Sequence, residues 1–277
     1  MKLINPNTQS TTYQKETTMK TIIQLCATIC IALAIVKGAH ASDAVGPGDR
    51  DTLWLVGGGA GVYTNVYKGE NQSGSLIPNL RYNGKLFFIK NATLNLSLVT
   101  AGAFSGGLTL ATDSSFLSDT DDYRDNAQLA GLNERDATIE GGLYINHTSK
   151  LGRASLSVMS DLGHEHDGQA ATLSYTFDLR AGNWFINPMI GLHWMGNKKV
   201  NHYYGVSATE ATAQRLAYEA GSALNAFLAI RGRYEFSQHW DFEVHAGATR
   251  LDSSISSSSI VDEDYVAFGG LSINYSF

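Results

Sequence analysis

The chain has 277 residues with 20 basic against 26 acidic side chains, a formal net charge of −6, which argues against nucleic-acid binding and against a polybasic lipid-binding surface. Both cysteines, Cys26 and Cys30, fall in a removable N-terminal segment, so the remainder has no thiol for a disulfide framework. With 28 Gly, 4 Pro and aromatics throughout, the composition suits one β domain.

At the amino terminus, Met19-Lys20 opens a short positive region, Thr21 to Val36 is mostly apolar, and Ala39-His40-Ala41 is a small-x-small cleavage site. This pattern predicts a secretory signal peptide within a 1–41 leader, with Met19 as the true start and cleavage after Ala41. Gln24 and Thr28 interrupt the apolar run, which is too short for a comfortable membrane helix. Neither cysteine is preceded by the small residues of a lipidation site. Without residues 1–41, 16 basic and 25 acidic residues remain, a net charge of −9.

From 42 to 277 the governing signal is period-two alternation, the mark of strands with one apolar and one polar face. Ten strands are expected, at about 52–65, 75–82, 85–110, 135–147, 152–162, 168–179, 184–196, 220–236, 240–251 and 264–277. In the first, Gly57-Gly58-Gly59-Ala60-Gly61 is an alternating strand and not a nucleotide loop, because no helix follows. The third is too long for one crossing. Its parity also slips, from Phe87 and Ile89 to Leu94, Leu96 and Leu98, which a bulge near Asn91, an extension beyond the membrane or an extra hairpin would explain; the hairpin gives twelve strands. Ala171, Leu173, Tyr175, Phe177 and Leu179 oppose Thr172, Ser174, Thr176, Asp178 and Arg180, and Trp184 to Trp194 behave likewise. In the last strand Leu271, Ile273 and Tyr275 oppose Ser272, Asn274 and Ser276, before the aromatic Phe277.

Strands of about 9–11 residues suit a tilted crossing of a bilayer. Short connections (83–84, 148–152, 181–183, 237–239) alternate with long ones (66–73, 111–134, 197–219, 252–263, and the smaller 163–167). Aromatics follow three of the short turns: Phe87-Phe88, Trp184-Phe185, and Trp240 with Phe242. Short periplasmic turns, long external loops and an aromatic girdle describe an all-β, antiparallel transmembrane barrel of the outer membrane. The last strand is then expected to close the barrel against residues 52–65.

Few residues point to chemistry. His164-Glu165-His166-Asp167 lies in a tight loop and reads as a solvated polar hairpin tip, not a metal site. Asp119-Thr120-Asp121-Asp122-Tyr123 with Asp125 lacks the glycine and final glutamate of a calcium loop. In the hairpin 228–250, Leu228, Ile230, Tyr234 and Phe236 are assigned to lipid, which puts Arg231, Arg233 and Glu235 in the lumen. On the next strand Asp241, Glu243 and His245 also face in. Charges are costly against lipid, and the expected cross-strand partners are Arg233 with Glu243 and Arg231 with His245. A structural ion-pair network that keeps a narrow barrel shut is favoured over a selective pore lining. Alternation lapses between Ser207 and Tyr218, where a short helix capped by Ser207, with Glu210 at capping-box spacing, is expected on an external loop.

The stretch Tyr203-Tyr204-Gly205-Val206-Ser207, with Glu210-Ala211 and Tyr218-Glu219-Ala220-Gly221 beyond it, resembles a signature of the MipA/OmpV family of outer-membrane proteins. Gly59-Ala60-Gly61-Val62, Tyr67-Lys68-Gly69, Pro78 with Tyr82, Arg233-Tyr234, Trp240 and Tyr275-Ser276-Phe277 extend the resemblance along the mature chain. Ser259-Ile260-Val261 departs from it, since the family often has Ser-Pro there. The resemblance implies a non-enzymatic integral protein of the outer membrane, in contact with its lipid, without cofactor, catalytic residue or metal. It further implies a scaffold for a murein transglycosylase and a peptidoglycan synthase; other members of the family are adhesins or permeability factors. On this reading Tyr203, Tyr204, Gly205, Val206, Ser207 and Glu210 form an external loop suited to gating or docking.

Overall fold

A computed structural model describes residues 53–70 and 72–277; the expected leader, cleavage site and start codon lie outside them. The alternating segments form thirteen strands: β1 (Trp54–Thr64), β2 (Gln72–Asn83), β3 (Phe87–Lys90), β4 (Thr93–Ala101), β5 (Phe104–Asp113), β6 (Thr138–Ser149), β7 (Gly152–Asp161), β8 (Gln169–Phe177), β9 (Leu179–Ala181), β10 (Trp184–Met195), β11 (Ala223–Glu235), β12 (Trp240–Arg250) and β13 (Tyr265–Ser276). All pairings are antiparallel between neighbours, and β13 returns to β1, with Leu55 opposite Ser276 and Tyr63 opposite Phe268. The sheet therefore closes on itself into a barrel.

β8 and β9 both lie against β10 and form one wall strand, so the barrel has twelve. Their separation follows from Pro188 on β10, which has no N–H to give to the ladder. Asn187 bridges the interruption instead, its amide donating to the Phe177 carbonyl at 3.1 Å and to Asp178 Oδ1 at 2.8 Å.

The segment 85–110 resolves into three strands, the extra-hairpin alternative, so the count is twelve. Asn91, at φ 53°, turns the chain between β3 and β4, and Gly102, at φ 59°, turns it between β4 and β5. Turning at Asn91 resets which parity faces out, and a register shift between Ser97 and Val99 resets it again within β4.

Lipid-facing positions carry Leu76, Leu143, Leu228 and Leu271; lumen-facing ones carry Asn95, Asn146, Ser272 and Asn274, all buried. At the short-turn end, rings meet side by side: Trp54 with Tyr82 (4.6 Å between centroids), Tyr82 with Phe87 (4.8 Å), Trp184 with Tyr234 (5.1 Å), and Trp240 and Phe277 each with Tyr275 (5.0 Å). This is an interfacial aromatic girdle. At the other end, the connections 114–137, 196–222 and 251–264 carry three α-helices: α1 (Thr120–Tyr123), α2 (Asn197–Tyr204) and α3 (Ser253–Ser256).

Candidate functional site: a plugged, capped lumen

The periplasmic half of the lumen is filled by polar side chains. The ladder sets Arg233 opposite Glu243 and Arg231 opposite His245, but the side chains reach further around the wall. Arg81 of β2 meets Glu243 at 3.2 Å, with Arg231 at 4.0 Å from the same carboxylate. Arg231 also donates to Asn187 Oδ1 at 3.0 Å. Arg233, only 2% exposed, lies 3.2 Å from Glu235 and 4.0 Å from Asp241, with its guanidinium over the Phe185 ring. Asn274 donates to Asp241 at 2.7 Å and accepts from Asn79 at 2.9 Å. Phe88 and Tyr144 pack edge to face beside this network, 6.0 Å between centroids.

Arg231 and Glu243 thus meet in one group with Arg81 and Asn187, and Arg233, Glu235 and Asp241 in a second with Asn274 and Asn79. His245, opposite Arg231, lies within electrostatic reach of Glu243 and Arg231, with its ring 6.2 Å from Phe268. Arg81 had no sequence signal beyond its inward parity, because its partner lies 162 positions away.

Above the plug is a cavity of about 480 Å³. Met159, Met195, Val266 and Phe268 contribute its apolar wall, and His193, paired to Thr172 at 2.9 Å, contributes polar groups. Lys199 forms the roof: α2 lowers its ammonium to 3.0 Å from Asp113 and 2.6 Å from Glu140. Burial alone would lower the Lys199 pKa, but these two carboxylates outweigh it and hold the ammonium above its ordinary value.

The 162–168 loop departs from the solvated hairpin tip expected of it. His164 is exposed, but His166 turns inward because Asp161 organises the loop, its carboxylate accepting from the N–H groups of Gly163, His164, His166 and Asp167. The His166 ring lies 3.6 Å from Glu140 and 3.9 Å from Asp113. Asp113, Glu140 and His166 could together ligate a metal, but the Lys199 ammonium already stands between the two carboxylates, where a cation would sit. Burial, and then Lys199, push the His166 pKa below its ordinary value. At 119–125 the acidic run forms the capped turn α1, with Asp119 accepting from Asp121 N and Arg124 pairing with Asp121.

Over the cavity the external loops share one apolar core, in which Tyr67, Leu117, Tyr123, Leu129, Val200, Tyr203, Val206, Ile255 and Ile260 are buried. Polar ties cross it. Tyr203 donates to Asp113 at 2.7 Å and Tyr67 to the Tyr203 carbonyl at 3.2 Å; Ser258 donates to the Tyr204 carbonyl at 2.6 Å. Arg135 meets Glu210 at 2.9 Å. Burial would raise the Glu210 pKa, but bonds from Asn133 N, Ser207 and Arg135 bring it down to about 2.

The helix expected from Ser207 to Tyr218 is absent; the helical stretch is Asn197–Tyr204, just before it. Ser207 and Glu210 do make half of the expected cap, Ser207 N donating to Glu210 Oε2 at 2.9 Å. It closes only a turn, because the Glu210 carbonyl is taken by the Arg215 guanidinium (3.0 and 2.8 Å) and Val206 bridges to Tyr218. Gly205 ends α2 where a Cβ would come within 2.5 Å of the Asn201 carbonyl oxygen. The loop residues Tyr203, Tyr204, Gly205, Val206, Ser207 and Glu210 therefore sit in the cap itself.

Residues 56–277 match the family described as MltA-interacting protein MipA. The chain is 28% identical to the outer membrane protein OmpV of Vibrio cholerae, over 81% of this chain and 86% of that one. It is 22% identical to the MltA-interacting protein of Escherichia coli, over 88% and 98%. Among solved structures, it resembles the outer membrane protein OmpT of Vibrio cholerae with a TM-score of 0.36 at 6% identity, covering 81% and 98%. The protein resides in the outer membrane as an integral barrel, and the chain belongs to the MipA/OmpV family.

Proposed function

We propose that this barrel is a non-enzymatic membrane anchor that holds a murein transglycosylase and a peptidoglycan synthase at the inner face of the outer membrane. The observation that carries the reading is the doubly closed lumen. The Arg81–Glu243 and Arg233–Asp241 pairs cross it below, and the buried loop core lies over it above, which favours an anchor over an open pore. A relative named for interaction with MltA, aligned over 88% of this chain, supports the choice of partner class.

The periplasmic turns are the docking positions on this account. A photo-crosslinking residue at Lys150 or Gln238, both exposed, is expected to capture murein-cleaving and murein-synthesising enzymes in cells. The same residue at the external Glu219 is expected to capture neither. Absence of murein enzymes from the periplasmic positions, together with ion conductance, would assign the protein to solute passage instead.

A further inference from the structure

The barrel wall is incomplete in its external half. The β3–β4 hairpin turns at Asn91, at the level of Leu80: Asn91 N donates to the Leu80 carbonyl at 2.7 Å, and its side chain accepts from Leu80 N at 3.3 Å. From residue 80 back to residue 72, β2 pairs with β1 alone, roughly 30 Å of strand edge. On the far side, Thr93 pairs with Ala111, and β5 continues to Asp113. At this height β3 and β4 are missing, and no strand pairs between β2 and β5.

The sequence is adapted to an open edge. Pro78 removes one donor from it, and the Leu76 carbonyl accepts from Ser75 Oγ at 3.1 Å. Leu76 is 78% exposed on the lipid side. The notch has a lintel too: Asn126 Nδ2 donates to the Lys68 carbonyl and to Glu70 Oε1, each at 2.8 Å, tying two external loops above it. Both sides of the notch, Ser73 of β2 and Ala111 to Asp113 of β5, line the lumen cavity.

We infer that this notch is a lateral doorway, through which a neutral, largely apolar small molecule carrying a hydrogen-bonding group passes from the outer leaflet into the cavity. The axial routes are the closed ones, by cap and plug. Bulk lipid carries no charged solute to the notch, and the wall carboxylates Asp113 and Glu140 both already engage Lys199. Its Met and Phe walls suit an apolar body; His193, Thr172 and Asn225 offer hydrogen bonds. The size falls in the range of small-molecule sites, about 300–1,000 Å³. This inference is independent of the anchoring role, which concerns the opposite rim.

The test uses Ser157→Cys, a buried cavity position, in the mature barrel, which has no other cysteine. In lipid vesicles, neutral N-phenylmaleimide is expected to label it at least tenfold faster than a trimethylammonium maleimide. Lengthening the β3–β4 hairpin by four alternating residues on each side of Asn91-Ala92 is expected to slow the neutral reagent about tenfold. N-phenyl-1-naphthylamine at saturation is expected to protect the thiol. Equal rates for the two reagents, no labelling by either, no protection, or a lengthened hairpin that folds and labels as before would each overturn the doorway. Heat-modified gel mobility reports folding of both variants.

Discussion

At the scale of single residues, the barrel depends on positions where one atom too many or one charge too few is felt directly. Gly59 faces the lumen, and a Cβ there would lie 1.9 Å from the Leu271 carbonyl oxygen on the neighbouring strand. That atom is backbone and cannot swing aside. Gly59→Ala is expected to cost about 1–3 kcal/mol, read as a lower unfolding midpoint in urea; an unchanged midpoint would mean β1 and β13 separate without cost. Arg81 is the second such position. Removing it leaves Glu243 buried beside the more distant Arg231, so Arg81→Ala is expected to destabilise by about 3–5 kcal/mol. Replacing both partners with apolar residues of similar volume should return much of that loss, and a double variant as unstable as the single one would contradict the pairing. The sequence shows that Arg81 and Glu243 point inward, by parity. It does not show that they meet, because their contact is made across the barrel by curvature and register.

At the scale of elements, the cap is the part that responds to pH. Burial, reinforced by His166 and Arg135, pushes the His202 pKa down to about 4, and His166 is lowered as well. A histidine held neutral in the folded cap binds fewer protons there than when released, so cap stability falls as pH drops from about 6.5 toward 4. Glu210 acts over a lower window, with its contribution present above its usual 4.5 and lost as pH falls toward about 2. Protease nicking within 196–222 is expected to rise from pH 7 to pH 4.5 while the barrel stays folded; a flat profile would contradict the buried state of His202. Lys199→Met strands Asp113 and Glu140, and is expected to expose the same loop to protease at neutral pH with little change in barrel unfolding. Equal protease resistance would show that α2 is held by its apolar face alone. Elements were legible where the two-residue period holds unbroken, as in β10 to β13. They were obscured in 85–110, where a turn at Asn91 and a register shift each reverse the parity, so three short strands read as one. The capping box at Ser207 and Glu210 was legible as a contact but not as a turn, since Arg215 intercepts the next carbonyl only in the folded loop.

At the scale of the whole molecule, the described chain is stacked along the barrel axis as an aromatic rim, a charged plug, an apolar-walled cavity and a loop cap. Alternation, turn lengths and girdle residues disclose the rim and the barrel, because these are set by the lipid that surrounds every strand. The plug, cavity and cap depend on which side chains meet across the lumen, and no local pattern encodes that. Closure at two levels is the property on which the proposed anchoring role rests, and it is measured most directly by ion conductance of the purified protein in planar bilayers at neutral pH. The account expects no stable conductance steps from the intact chain. Steady ohmic steps from folded protein would contradict it.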